Sequence, residues 1–308
     1  MLTIATRGSM LALRQAETIR TALLTASPGL AGIELLIVKT RGDLIHNAPT
    51  ATIGGKGLFV KEIEEALLDG RADLAIHSMK DMPAELPRGL ILGSVPQRED
   101  PRDVLLTQRF ASLEALPAGA RVGTGSLRRQ ALLRALRPDL AATPLRGNVD
   151  TRLNKLLEGG LDAVIVAAAG LNRLGLAAPH CIHLPAGHFI PAAGQGALGI
   201  EYREDDHELA AITAPLDHPA TRVCVEAERA FLAGLGGNCH MPIAAHAVMT
   251  GEDSLSITGL LMDPQGERVV RRQAGGHVNN ARAIGFSLAH AVKDAGGAAV
   301  LAEVRGLA

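Results

Sequence analysis

The chain has almost no aromatic side chains. Its 308 residues include no tryptophan, one tyrosine (Tyr202) and five phenylalanines. Proteins that bind single-stranded nucleic acid stack the bases on aromatic rings, so this class of function is nearly excluded. The balance of charges argues against further classes of partner, because 31 lysines and arginines are balanced by 32 aspartates and glutamates. No overall field therefore favours nucleic acid or an anionic membrane as a partner.

Cysteine and long hydrophobic runs are equally scarce. Cys181, Cys224 and Cys239 are odd in number, widely spaced and without a CxxC pair, so we expect no disulfide framework and a reducing, cytoplasmic compartment. The best apolar stretch, residues 161–170, has about half of the roughly 18 residues that a membrane span needs. Arg7 and Arg14 interrupt the first apolar residues, so neither a signal peptide nor a membrane segment is predicted.

The order of predicted elements is that of two α/β lobes. LTIATRG, GIELLIVKT and ADLAIHS predict strands, with helices after Ser9 and after the glycine-rich turn TIGGKG. After the polar segment at residues 95–103 the pattern starts again, with strands in ARVGTG, ATPLRG and LDAVIVA and helices between them. Alternating strands and helices predict a mostly parallel sheet in each lobe.

The last third of the chain has a different pattern. After about residue 217 a helix, ATRVCVEAERAFLAGL, precedes two alternating strands, LSITGLLMD and ERVVRRQAGG. The turn Pro264-Gln265-Gly266 joins these strands as a hairpin, and ARAIGFSLAHAVKDAG closes as an amphipathic helix. This arrangement predicts a smaller α+β domain at the C-terminal end.

Cations cluster at the turns that follow predicted strands, where open α/β sheets bind their ligands. A cation in the first turn of a helix opposes the helix dipole unless an anion is bound there. We therefore predict a polyanionic ligand in a cleft between the lobes. The sequence does not fit a nucleotide motif, because GTGSLRR lacks the third glycine of a dinucleotide fingerprint and GGKG lacks the P-loop ending. The cations concerned are Arg7, Lys56, Lys80, Arg128, Arg129, Arg146, Arg152 and Arg173.

The segment GLGGNCHMPIAAHA leaves three roles open for Cys239: a buried structural thiol, a zinc ligand with His240 and His246, or a reactive thiol. A zinc site here would lack a clear fourth ligand, and the other histidines show no metal spacing, so no metal is predicted. A Cys–His hydrolase is also weakly supported, since adjacent residues rarely reach the required geometry. A non-catalytic binding protein would suit two lobes but would leave the last domain unexplained.

Ten blocks of sequence together resemble the porphobilinogen deaminase, or hydroxymethylbilane synthase, family. They include TRGSMLAL, GGKGLFVKEIEEALL, ADLAIHSMKDMP, REDPRD, VGTGSLRRQ, LRGNVDTRL, PAAGQGALGIE and GGNCHMPIAAHA, and they span nearly the whole chain. The resemblance implies α/β architecture in three domains: two lobes like periplasmic binding proteins, at residues 1–96 with 197–214 and at 102–190, and a C-terminal α+β domain at 219–308. A monomer is usual in the family.

The resemblance also implies a transferase of heme and porphyrin biosynthesis. Such enzymes join four porphobilinogen molecules head to tail on a dipyrromethane cofactor, which Cys239 would hold through a thioether. Each step releases ammonia, and hydrolysis frees the linear tetrapyrrole hydroxymethylbilane. Every pyrrole ring carries an acetate and a propionate, so the growing chain is the polyanion that the clustered cations predict.

The resemblance assigns roles to individual residues. Asp81 is the expected catalytic carboxylate, which would stabilise the cation left by deamination and move protons. Expected cofactor-binding residues are Cys239, Lys80, Arg128, Arg129, Ser126, Thr124, Arg146 and Ser78. Expected substrate-binding residues are Arg7, Ser9, Arg146, Arg152, Arg173, Gln195, Lys56 and Phe59, with Asp43 in a supporting role. Phe59 fits a core position equally well, and the sequence does not decide which arginines bind cofactor and which bind substrate.

The chain departs from the family pattern at two places. Gly125 stands where serine is common, which puts one hydrogen bond to a carboxylate in doubt, and Asn238 and His240 flank the cysteine where GGCQ is common.

Overall fold

The computed structural model describes residues 1–44, 60–83, 85–237 and 241–306. The chain divides into two compact units. Unit 1 comprises Met1–Glu99 and Ala197–Arg222, and unit 2 comprises Asp100–Gly196 and Val223–Ala308. The division into three domains stays a prediction, since unit 2 contains both the expected second lobe and the expected C-terminal domain.

Thirteen strands and ten helices are formed by the described residues. The strands are β1 (Leu2–Arg7), β2 (Ile33–Val38), β3 (Leu74–Ser78), β4 (Leu90–Ser94), β5 (Asp103–Thr107), β6 (Arg121–Gly123), β7 (Ala141–Thr143), β8 (Ala163–Ala167), β9 (His180–Leu184), β10 (Leu198–Arg203), β11 (Ile243–Met249), β12 (Ser254–Met262) and β13 (Val269–His277). The helices are α1 (Met10–Ala26), α2 (Arg41–Leu44), α3 (Lys61–Leu68), α4 (Leu127–Leu136), α5 (Val149–Leu157), α6 (Ala168–Leu174), α7 (His207–Thr213), α8 (Pro219–Gly234), α9 (Ala281–Val292) and α10 (Ala298–Gly306).

Unit 1 is built on a five-stranded sheet in the order β2-β1-β3-β10-β4. Strand β1 runs parallel to β2 and β3, whereas β10 runs antiparallel to both β3 and β4. Ile4 faces a core formed with Ile19 of α1, while its neighbour Ala5 faces a second core formed with Ile63 of α3. Because helices cover both faces, the strands are rich in apolar residues on both faces, and this made β1, β2 and β3 readable in the sequence.

The sheet of the second lobe has the same topology, in the order β7-β6-β8-β5-β9. Strand β6 is parallel to β7 and β8, and β5 runs antiparallel to β8 and β9. The expectation of mostly parallel sheets is confirmed, since four of the five strands in each sheet run in the same direction. Each sheet also contains one antiparallel strand, β10 in unit 1 and β5 in the second lobe. The strands that pair with it are distant from it in the sequence, so it is not part of the local strand–helix–strand pattern.

The C-terminal region is a three-stranded antiparallel sheet, β11-β12-β13, covered by helices. Phe231 of α8, Ile257 of β12 and Leu288 of α9 are buried together in its core. Leu260 and Met262 instead join the core on the α4 side of the second lobe, so the two regions share apolar packing within unit 2. The sequence did not predict strand β11 or helix α10.

The fold-class prediction is confirmed: two α/β lobes are followed by a smaller α+β region. Among the described residues, no helix is both long enough and apolar enough to cross a bilayer.

Candidate functional site

In unit 1, the candidate residues lie where two neighbouring strands end. Arg7 is the last residue of β1, and Ser9 caps α1 by accepting a hydrogen bond from the backbone N–H of Ala12 at 3.3 Å. Ser78 is the last residue of β3. Because β1 and β3 are parallel neighbours, their carboxyl ends meet at one edge of the sheet.

A buried glutamine fixes the end of β3. Gln15 of α1 donates from Nε2 to Ser78 Oγ at 3.1 Å, and the Ser78 hydroxyl lies 3.3 Å from Gln15 Oε1. Gln15 is buried. The helical pattern of the sequence did not show that this polar side chain contacts the end of β3. The contact gives the Ser78 hydroxyl a partner inside the protein.

Asp81 and Lys80 lie in a single turn of 3-10 helix, Met79–Asp81, that directly follows β3. The backbone N–H of Met79 donates to the carbonyl oxygen of Ala197 at 3.0 Å, and the Met79 side chain is buried. This anchor leaves the Asp81 side chain exposed, with no hydrogen bond or ion pair to any residue in the described part of the chain. The carboxylate is thus open to a ligand.

A cluster of buried ionisable groups adjoins this strand end. His77 Nε2 lies 2.8 Å from the carboxylate of Glu201 on β10, and both side chains are buried. Glu64 of α3 is also buried. Burial, reinforced by the negative charge of Glu201 and opposed by His77, raises the pKa of Glu64 to about 7. The sequence pattern gave no sign of this cluster, since its members come from three separate elements.

In unit 2, the candidate residues follow three neighbouring strands. Thr124 comes directly after β6 and is buried, and its Oγ1 accepts a hydrogen bond from the N–H of Ser126 at 3.3 Å. Ser126 caps α4, its Oγ accepting from the N–H of Arg129 at 3.5 Å. Both hydroxyl oxygens thus shape the β6–α4 turn. Arg146 follows β7, and its side chain is partly buried.

Arg128 and Arg129, in the first turn of α4, are buried and share one carboxylate. Arg128 Nη1 donates to Asp103 Oδ2 at 2.7 Å, and Arg129 donates to Asp103 Oδ1 from Nε at 2.9 Å and from Nη2 at 2.7 Å. Gln195 Nε2 also donates to Asp103 Oδ1 at 2.9 Å. The sequence interpretation missed Asp103, although REDPRD was one of the matching blocks.

Two further arginines are held by backbone carbonyl groups. Arg152, on α5, donates from Nε to the carbonyl oxygen of Gly147 at 2.9 Å. Arg173, on α6, donates from Nη2 to the carbonyl oxygen of Gly196 at 2.7 Å. These bonds orient the guanidinium groups of two side chains that lie on the helices following β7 and β8.

The turn at Gly125 has no room for a side chain. A Cβ atom there would lie 2.6 Å from the carbonyl oxygen of Leu145, closer than real Cβ contacts come. The serine that the family pattern favours at this position would therefore displace the backbone of this chain. The absence of a serine hydroxyl at residue 125 therefore goes together with the close approach of the Leu145 carbonyl group to the backbone of this turn.

Several predicted site residues lie outside the described part of the chain. They are Lys56, Phe59 and Cys239, together with His240 and the side chain of Asp43. Of the proposed zinc ligands, His246 alone is described, on β11. The structure therefore leaves the role of Cys239 as a prediction.

Comparisons with known proteins agree on one family. A family profile described as "Porphobilinogen deaminase, dipyromethane cofactor binding domain" matches residues 2–211. A second profile, "Porphobilinogen deaminase, C-terminal domain", matches residues 222–294. The chain is 61% identical to a porphobilinogen deaminase of Nitratidesulfovibrio vulgaris strain Hildenborough, over 98% of this chain and 96% of the relative. It is 52% identical to that of Maridesulfovibrio salexigens, over 98% of both chains.

Likeness to solved structures is weaker. The periplasmic aliphatic sulphonate binding protein of Escherichia coli aligns over 75% of this chain and 69% of its own, with 18% identity and a TM-score of 0.39. A score of this size does not establish a shared fold, so the description of the fold rests on the strand order of the two lobes.

Proposed function

The chain belongs to the porphobilinogen deaminase family, and from that premise we propose that it joins four porphobilinogen molecules head to tail on a dipyrromethane cofactor bound to Cys239. The product would be hydroxymethylbilane, with one ammonia released for each substrate molecule. The observation that carries the proposal is the placement of Asp81, an exposed carboxylate without a partner in the described chain, directly after β3 beside Lys80.

The described residues of unit 2 fit a cofactor that carries carboxylates. Arg128 is buried, and its Nε has no hydrogen-bond partner among the described residues. A buried guanidinium donor without a partner is costly, and a ligand carboxylate would satisfy it. Ser126 and Arg146 follow β6 and β7, and Arg152 and Arg173 lie on α5 and α6; these side chains would bind further acetate and propionate groups.

When bound, the cofactor supplies the pyrrole carbon to which the first substrate is joined. The role of Asp81 is to stabilise positive charge on the substrate as the amine leaves, since an oriented carboxylate interacts favourably with positive charge that develops beside it. The same carboxylate accepts the proton that the attacked ring loses and helps to protonate the leaving amine. Arg7 binds a substrate carboxylate and orients the ring, and Lys80 binds a carboxylate of the cofactor.

The direct test is turnover of porphobilinogen by the purified chain. We expect ammonia release equal to porphobilinogen consumption, with a linear tetrapyrrole as product. A non-catalytic binding protein would bind porphobilinogen without releasing ammonia, and a Cys–His hydrolase would release no tetrapyrrole. Either result would reject the proposal.

The finer assignments are proposals on the same basis. We propose a cytoplasmic transferase that acts as a monomer, with porphobilinogen as its small-molecule partner and neither nucleic acid nor membrane involved. Light scattering at assay concentration tests the oligomeric state, and a mass twice that of the chain would contradict it.

A further inference from the structure

Asp103 is the most heavily bonded carboxylate of unit 2. It is the first residue of β5, the antiparallel strand that lies between β8 and β9, and it is fully buried. Arg128 donates to one oxygen, and Arg129 and Gln195 donate to the other. Burial disfavours the charged form of Asp103, but the two guanidiniums and these hydrogen bonds prevail and hold the pKa of Asp103 well below its ordinary value.

Charge in this cluster is not balanced. One buried carboxylate faces two buried guanidiniums, which are side chains that stay protonated in proteins. One positive charge therefore remains without a counter-charge among these three groups. A buried charge is tolerated when it is paired, so the cluster is suited to binding one anionic group.

The two arginines differ in how many of their nitrogen atoms already donate hydrogen bonds inside the protein. Every nitrogen of Arg129 donates inside the protein: Nε and Nη2 to Asp103, and Nη1 to the carbonyl oxygen of Ile165 at 3.1 Å. Arg128 donates from Nη1 alone, to Asp103 and to the carbonyl oxygen of Ile190 at 2.7 Å. Its Nε is buried and has no hydrogen-bond partner in the described chain.

Gln195 also has an internal role. Its Nε2 donates to Asp103 and to the carbonyl oxygen of Pro101 at 2.7 Å, and its Oε1 lies 3.4 Å from Arg129 Nη2. The sequence predicted Gln195 as a substrate-binding residue. That role stays a prediction, and the hydrogen bonds of its side chain orient Asp103 and Arg129.

We propose that Asp103, with Arg129 and Gln195, is a positioning residue that presents Arg128 as the guanidinium for one carboxylate of the dipyrromethane cofactor. The inference rests on the proposed function and refines it, since the family resemblance assigned both arginines to the cofactor. Asp103 itself touches no ligand. It fixes Arg128 Nη1 and neutralises Arg129, so that the positive charge left over belongs to Arg128.

Two double variants test this division of roles. D103N keeps the shape of the side chain but removes the counter-charge of two buried guanidiniums, so we expect a lower melting temperature and little covalent adduct in the intact mass spectrum. D103N/R129Q and D103N/R128Q each remove one positive charge together with the negative charge. Both should recover much of the lost melting temperature, because each leaves the same net charge.

Cofactor loading should separate the two double variants. D103N/R129Q keeps Arg128 and should recover most of the adduct found in the wild type. D103N/R128Q lacks Arg128, so its fraction of protein with adduct should be at least roughly tenfold lower than that of D103N/R129Q, as expected when a hydrogen bond to a charged group is lost. A purely structural role for Asp103 would change melting and loading in parallel. D139N is the matched control, because Asp139 makes an equally short pair, 2.6 Å from Arg137, on the surface, and this variant should load normally.

The proposal is overturned if D103N alone loads like the wild type, if the two double variants load equally, or if D103N/R129Q fails to fold. These results differ from failure of the proposed function. In that case the wild-type chain itself carries no adduct and releases no ammonia from porphobilinogen, and the assignment of Asp103 fails with it.

Discussion

His77 Nε2 and the carboxylate of Glu201 lie 2.8 Å apart in the interior of unit 1. A third group, Glu64 on α3, is also buried, and this burial together with the negative charge of Glu201 raises the pKa of its carboxyl, while His77 opposes the shift. The folded protein therefore favours a neutral Glu64. An unfolded chain does not, since its carboxyl groups titrate near their ordinary values.

Substitution of Glu64 should make stability less dependent on pH. Between the ordinary pKa of 4.5 and about 7, the folded state binds more protons at this site than the unfolded state, so the unfolding free energy falls as pH rises through that window. E64Q keeps the group neutral at all pH values. We expect it to raise the unfolding free energy by on the order of 1 kcal/mol at pH 8 and to have little effect near pH 4.5.

The matched control is E65Q on the same helix, because Glu65 is exposed and pairs only loosely with Lys61 at 3.8 Å. Denaturant melts of both variants at the two pH values give the measurement. An E64Q variant that is destabilised at pH 8, or that gains as much at pH 4.5 as at pH 8, would show that folding does not raise the pKa of Glu64.

Gly199 should control the position of the turn that carries Asp81. A Cβ at Gly199 would lie 2.5 Å from Met79 Sδ and 2.6 Å from Leu92 Cδ1. G199A therefore has to displace the buried anchor of the turn, which overpacking data suggest costs about 1–3 kcal/mol. We expect a lower melting temperature and slower turnover of porphobilinogen, although residue 199 is on β10 and outside the proposed catalytic group.

G160A is the control for this prediction, since a Cβ at Gly160 meets no atom within 4 Å. It should melt and turn over like the wild type. If G199A does the same, the packing of Met79 against β10 does not set the position of the turn.

Replacement of Asp81 should separate cofactor loading from chain extension. D81N keeps the size of the side chain and removes its charge and basicity, so we expect an intact adduct and a turnover rate lower by roughly 100- to 10,000-fold. D69N, which alters an exposed aspartate on the surface, should match the wild type in both measurements. Turnover of D81N near the wild-type rate would remove Asp81 from the catalytic role.

The sequence predicted the local elements better than the long-range ones. Strands β1, β3 and β8 are short apolar runs followed by helices, and the repeated pattern revealed two lobes. Strand β11 escaped notice because IAAHAVM is rich in small residues with weak strand preference. The antiparallel entry of β5 and β10 depends on pairing between distant segments, which no local pattern records.

The site shows the same limit. The positions of cations after strands were readable, because strand ends and helix caps are local features. Their partners were not, because Asp103 comes from a different strand than the helix that carries Arg128 and Arg129. Arg128, Arg129 and Gln195, which the sequence predicted as ligand-binding residues, are buried and have different hydrogen bonds.

The intact mass of the purified chain shows whether Cys239 carries the cofactor. We expect the wild-type protein to exceed its sequence mass by that of two linked pyrrole rings with their acetate and propionate groups. C239A should show the bare sequence mass and no turnover. A wild-type chain at its bare mass that nevertheless converts porphobilinogen at full rate would contradict the claim that Cys239 carries the cofactor on which the product is built.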